Sequence, residues 1–178
     1  MSNQEKRIEI LTKAQLRNVL KRLTIEILEK VDDPKNIILM GIPTRVVNLS
    51  EVIALEIYKT IGYDVEKGII DPTFHRDDQS KVGTKSIMVD NIPESLDDKD
   101  IILIDDVIYT GRTTRAAMEA LNFWGRPKKI MLLTMIDRGH RELPIQPDFC
   151  GKQVFTNKDQ NIELRLNSLD KIEGVFLV

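Results

Sequence analysis

The stretch "IILIDDVIYTGRTTR", Ile101–Arg115, decides how this chain is read. Ile101 to Ile104 form a continuous apolar run, the composition of a strand buried on both faces; the strand is read over 101–105, and the run ends on two acids, Asp105 and Asp106. Thr110, Gly111, Arg112, Thr113 and Thr114 then lead into a segment with helical spacing. Strand, polar turn and helix in that order open a crossover unit, so a mainly parallel sheet is predicted. The turn also defines a ligand. Backbone N–H groups and hydroxyls at a helix start hold phosphate, and Arg112 adds positive charge. Adjacent carboxylates repel phosphate and take donor-rich neutral groups instead. A sugar with vicinal hydroxyls and a 5′-phosphate satisfies both demands.

The rest of the chain repeats the alternation. Leu16, Val19, Leu20, Leu23, Ile27 and Val31 recur at helical spacing, with Thr12 and Gln15 placed as a capping box. "NIILMGI" (36–42) reads as a buried strand and "NLSEVIALEIYKTIG" (48–62) as a helix closed by Gly62. "YDVEKGII" (63–70) is a further strand, as is 129–136, and a helix over 113–124 ends at Gly125. The tail from 153 onward carries short β-like pieces, "QVF", "IELRL" and "GVFLV". From Pro72 to Leu96 the chain is polar and irregular; so long a loop inside an α/β domain is either a lid or a surface excursion. No repeat or domain boundary is visible, and residues 1–178 read as one domain.

A chain of 178 residues with 42% hydrophobic and 30% charged residues has the composition of a soluble globular protein. Its net charge of −2 excludes a globally basic nucleic-acid binder, while leaving room for a local basic face. The single cysteine, Cys150, cannot form an internal disulfide, which points to a reducing cytoplasm. No apolar run is long enough to span a bilayer, and "MSNQEKRIEI" lacks the apolar core of a signal peptide. Two rival phosphate-binding motifs fail on residues. No GxxxxGK[ST] run exists, and the turn at 109–114 has one glycine where a dinucleotide fingerprint needs three. Taken alone, Asp105 and Asp106 are also compatible with ordinary loop acids.

The whole pattern resembles the signature of type I phosphoribosyltransferases, which bind phosphoribosyl pyrophosphate (PRPP). "GIPTR" (41–45), "RDDQSK" (76–81), "YTGRTTRAAMEAL" (109–121) and above all "DRGHRELPI" (137–145) narrow the resemblance to the PyrR family of pyrimidine-operon attenuation regulators and uracil phosphoribosyltransferases. The resemblance implies a parallel central sheet flanked by helices, with a flexible lid and a small hood. It implies transfer of ribose 5-phosphate from PRPP to N1 of uracil, giving UMP and pyrophosphate, with Mg²⁺ carried mainly by PRPP and reached, directly or through water, from Asp105 and Asp106. Asp105, Asp106 and Arg45 become the catalytic set. Thr44, Arg45 and the run Asp105, Asp106, Val107, Ile108, Tyr109, Thr110, Gly111, Arg112, Thr113 and Thr114 become the PRPP and nucleotide site. Arg76, Asp77 and Asp78 fall on the lid, and Asp137 and Arg138 beside uracil. Some relatives carry an acid four residues after the first signature carboxylate; here it is Tyr109, a poor base at its reference pKa near 10. Positioning and electrostatics are therefore expected to dominate catalysis.

The resemblance also implies binding of a pyrimidine-operon mRNA leader, promoted by UMP or UTP and opposed by PRPP, and assembly as a homodimer or larger homo-oligomer. Candidate RNA contacts are Lys21, Arg22 and Lys30 on the first helix with His140, Arg141 and Lys152. Pro43, Ile25 and Gln146 stand where regulatory relatives tend to be basic. Two alternatives stay open beside the bifunctional reading: an RNA-binding nucleotide sensor with little transferase activity, and a transferase that has lost RNA control. A purine-type enzyme fits "DRGHRELPI" poorly. His75 reads as solvated, and no metal-ligand spacing links it to His140 and Cys150.

Overall fold

The computed structural model describes residues 7–43, 47–73, 91–166 and 174–178. Eight strands and three α-helices occur among these, in the order β1 (Ile8–Thr12), α1 (Lys13–Lys30), β2 (Ile37–Gly41), α2 (Val47–Ile61), β3 (Glu66–Ile69), β4 (Asp100–Ile108), α3 (Arg112–Leu121), β5 (Lys129–Asp137), β6 (Phe149–Gln153), β7 (Ile162–Arg165) and β8 (Gly174–Leu177). Five strands form a sheet in the order β3-β2-β4-β5-β6, and every neighbouring pair is parallel. This bears out the predicted α/β fold with a mainly parallel sheet.

Apolar runs build the sheet because both of its faces are covered. In β4, Ile102 and Ile104 pack with Leu39, Met131, Leu133 and the inner sides of α1 and α2. The alternate residues Ile101 and Leu103 pack on the opposite face with Ile38, Leu132 and the Ala117, Ala120 and Leu121 side of α3. Period-two alternation of a uniformly apolar strand thus feeds two separate cores. α1 starts on the expected capping box: Gln15 N donates to Thr12 Oγ1, and Thr12 N to Gln15 Oε1. α2 closes at Gly62, which takes the left-handed conformation (φ 70°) that lets its N–H reach Tyr58 O.

A second sheet was not legible as a unit. β1, β8 and β7 form a three-stranded antiparallel sheet, with β8 in the centre. The sequence reading gave the tail its β character but assigned no strand to 8–12, because "IEILT" is short and runs directly into α1. Its partner lies over 160 residues away, a pairing that no local pattern encodes. The expected lid, Arg76, Asp77 and Asp78, lies outside the described residues.

Candidate functional site

The order of the strands locates the site. From β2 the chain passes through α2 outward to β3; from β4 it passes through α3 the other way to β5 and β6. The two halves diverge between β2 and β4, and ligands of open α/β sheets gather at the carboxyl ends of such a divide. β2 follows β4 only as far as Gly41 opposite Ile104, with Ile42 N donating to Ile104 O at 3.0 Å. β5 follows β4 four residues further, to Asp137 opposite Ile108. Residues 105–108 therefore continue as strand with a neighbour on one side. The sequence reading ended this strand at Asp105; continued pairing with β5 carries it to Ile108.

The carboxyl end of β4 borders a cleft of about 370 Å³, lined by Asp105, Val107 to Thr114 and Glu142; Asp106 is not among the lining residues. Asp105 is buried, and its Oδ1 accepts the N–H of Asp106 at 2.9 Å; Asp106 Oδ1 in turn accepts the N–H of Val107 at 2.8 Å. Each carboxylate is oriented by the backbone that follows it. Gly111 caps α3 in the left-handed region (φ 89°), a conformation glycine reaches without a Cβ penalty. Thr110 Oγ1 accepts the N–H of Arg112, so the hydroxyl sits at the helix entry as expected. Thr114 lies inside the first turn, where its buried hydroxyl has no hydrogen-bond partner, an orphan in the cleft wall that calls for an explanation.

The second motif folds onto the first. Arg141 donates from Nη1 to Tyr109 O (2.9 Å) and from Nε to Ile145 O (2.9 Å). Its Nη2 pairs with Asp137 Oδ2 at 2.7 Å in a mostly buried ion pair. Glu142 N and Leu143 N both donate to Thr110 O, and Leu143 and Ile145 side chains pack beside Gly111. "DRGHRELPI" is thus fastened along "YTG". Asp137 turns its carboxylate into this loop, to Gly139 N and to Arg141. Arg138 is buried, with its guanidinium 4.2 Å from the Tyr109 ring centroid and donors to Thr156 Oγ1 and Asn157 O. His140 meets the same ring edge-on and bonds Thr156 O through Nε2.

The candidate RNA residues do not form one patch. Arg22 donates to the carbonyls of Cys150 and Gly151 and pairs with Glu26, fastening α1 to β6. Lys30 pairs with Asp148 at 2.9 Å, Lys152 reaches Ile10 O at 3.2 Å, and Lys21 is exposed. These four lie on α1 and β6, whereas His140 and Arg141 belong to the loop at the cleft. Ile25 is exposed on α1, and Gln146 is exposed after the loop. Thr44 and Arg45 lie outside the described residues. Three participants were missed: Glu142, which lines the cleft, and Thr156 and Asn157, which hold Arg138. Glu142 is inside the quoted motif and could have been singled out; the other two carry no local signal.

The model of the phosphoribosyl transferase domain matches residues 8–168. The bifunctional protein PyrR of Microcystis aeruginosa is 45% identical over 171 residues, covering 96% of this chain and 97% of the relative. That of Picosynechococcus is 44% identical over the same span of 171 residues, again with 96% and 97% covered. The chain belongs to the PyrR family.

At the level of fold, this PyrR-family chain superposes on a hypoxanthine-guanine phosphoribosyltransferase of Bacillus anthracis with a TM-score of 0.70 over 96% of each chain, at 17% identity. The family and its phosphoribosyltransferase class are as the resemblance implied. Among the described residues no three His, Cys, Asp or Glu side chains gather as a metal cage. Asp105 and Asp106, two carboxylates beside a phosphate-type turn, suit a hard cation held chiefly by the ligand's own phosphates and water. No helix among the described residues is long and apolar enough to cross a membrane.

Proposed function

We propose that this PyrR-family chain transfers ribose 5-phosphate from PRPP to uracil and binds a pyrimidine-operon mRNA leader under uridine-nucleotide control. One observation carries the transferase half. The oriented carboxylate of Asp105 and a glycine-capped, hydroxyl-rich helix start line one cleft, the two chemistries that a ribose diol and its 5′-phosphate require.

In this reading Thr110, Gly111, Arg112, Thr113 and Thr114 hold the 5′-phosphate, and the orphan hydroxyl of Thr114 belongs to that anion site. Asp105, in the cleft, and the adjoining Asp106 accept from the ribose hydroxyls, and their charge favours the cationic sugar that develops at the anomeric carbon. The new bond joins that carbon to uracil N1; the bond to the pyrophosphate oxygen breaks, and the N1 proton passes to solvent. Arg45, on "GIPTR", is the candidate partner of the leaving pyrophosphate, and Arg76, Asp77 and Asp78 form the lid. Asp105 and Asp106 would hold Mg²⁺ through water, where the ion supplies charge neutralisation to the leaving group. Arg138, which reaches the cleft through the Tyr109 ring, and the backbone near Asp137 are the candidate neighbours of uracil.

PRPP and UMP or UTP share the phosphate site, so each sets the protein's affinity for RNA in the opposite sense. Lys21, with Lys30 and Lys152, supplies the RNA phosphate contacts, Arg22 supports that face by fastening α1 to β6, and His140 and Arg141 adjoin the nucleotide end. We read the chain as one cytoplasmic domain that assembles as a homodimer or larger. UMP formation from uracil, PRPP and Mg²⁺ tests the enzyme. A salt-titrated gel shift on the host's pyrimidine leader, with and without UMP, tests the regulator. Absence of both would end the proposal.

A further inference from the structure

Glu142 is out of place on electrostatic grounds. The cleft that receives a phosphate is lined by donors from Thr110 to Thr114, yet a carboxylate stands among them. An acid there weakens the attraction for an anion unless it serves a purpose that outweighs the loss. Its side chain accepts from Arg112 Nε at 2.7 Å. A guanidinium offers its donors as a rigid planar fork, so a bond at Nε fixes the plane in which the terminal nitrogens lie. Whether those nitrogens meet a phosphate depends on that plane.

The carboxylate works from a fixed base. Glu142 N donates to Thr110 O at 3.0 Å and Leu143 N to the same oxygen at 3.2 Å, so the backbone beneath the acid is registered to the turn it serves. Arg141, anchored on Tyr109 O and Asp137, holds the residue before it. Glu142 itself is half-exposed, and such a pair adds little to folding. Its use is directional.

We propose that Glu142 is a positioning residue that sets the Arg112 guanidinium against the ligand's 5′-phosphate. This rests on the reading of the cleft as a phosphate site. Through Glu142 the motif "DRGHRELPI" thereby completes the phosphate end of the cleft.

The test uses the full chain with Glu142→Ala, Glu142→Gln, Arg112→Ala and the Arg112→Ala/Glu142→Ala double variant, read by UMP calorimetry and by KM and kcat. Glu142→Ala is expected to weaken UMP and raise KM for PRPP about fivefold, the scale of a half-exposed ion pair, with kcat and KM for uracil nearly unmoved. Glu142→Gln, whose amide oxygen still accepts from Nε, recovers affinity to within about twofold. On the Arg112→Ala background, Glu142→Ala no longer weakens UMP, because its positioning effect passes through that guanidinium. Tighter UMP binding in both Glu142 variants would mean that the acid acts as a repulsive charge, and unchanged binding would mean that it does not act at all; either overturns the proposal. If the wild type binds UMP but makes none from uracil, the transferase reading falls while UMP affinity still decides this one. If it binds neither UMP nor PRPP, both fall together.

Discussion

The guanidinium of Arg138 lies 4.2 Å from the centroid of the Tyr109 ring, and the ring edge faces His140 at 5.7 Å. Tyr109 lines the cleft, so a buried cation at the end of β5 is coupled to the ligand site through an aromatic face. Such a desolvated cation–π contact is worth about 2 kcal/mol.

That contact needs the ring and not the hydroxyl. Tyr109→Phe is expected to keep kcat within about threefold, as positioning rather than base catalysis requires. Tyr109→Ala removes the ring and raises KM for uracil by roughly tenfold or more. Steady-state kinetics with uracil varied distinguishes the two; a collapse of kcat in the phenylalanine variant would restore a proton-transfer role.

Asp105→Asn and Asp106→Asn preserve shape while removing the negative charge that the proposed mechanism places beside the sugar. Each is expected to lower kcat by about 10²-fold, the loss typical of one preorganised electrostatic group. Circular dichroism should stay native. Retained turnover in both variants would show that the carboxylates do not act on the sugar.

The basic residues on α1 and β6 separate into two kinds. Lys21 is exposed, so Lys21→Ala should flatten the dependence of log K on log salt by about 0.7–0.9, the value of one phosphate contact. Arg22 holds β6 carbonyls, so Arg22→Ala should instead lower the thermal midpoint. Gel shifts across a salt series and thermal unfolding of both variants make the comparison.

Gly151 tests the packing of β6. A Cβ there would stand 2.4 Å from Met135 O and 3.0 Å from Val19 Cγ1, with backbone on one side that cannot yield. Gly151→Ala should cost about 1–3 kcal/mol, seen as a lower denaturation midpoint with an unchanged slope.

Cys150 should be slow to react. Burial first, then the charge of Asp137, pushes its thiol above the ordinary range, which keeps it protonated near neutrality. Because the folded pKa is raised, the stability linked to this group is present below the unfolded thiol pKa and lost as pH rises through the folded one. Iodoacetamide at pH 8 should alkylate Cys150 more slowly in the native than in the urea-unfolded protein. Equal rates would contradict the burial argument.

Local pattern made the parallel sheet legible: uniform apolar strands such as "IILI" can be accommodated only between two layers of helix, and Thr12, Gln15 and Gly62 marked helix ends by their chemistry. The acidic and hydroxyl halves of the cleft were legible for the same reason, being adjacent in sequence. What escaped was every relationship made across distance. The pairing of Ile8–Thr12 with β8, the four extra residues of β4 held by β5, and Thr156 beneath Arg138 depend on contacts between segments with no shared local signal. Arg141 shows the risk in reading charge alone: among Arg138, His140 and Lys152 it looked like part of a basic surface, but its donors serve Asp137, Tyr109 and Ile145.

Because β4 outruns β2 yet stays paired to β5, the two acids ride on a stiff half-bound tongue instead of a loop. Little ordering entropy remains to be lost there when a ligand arrives. Amide protons from Asp105 to Ile108 should therefore exchange almost as slowly without ligand as with it, and any quickening or slowing on ligand addition should concentrate in the segment that follows Ile108.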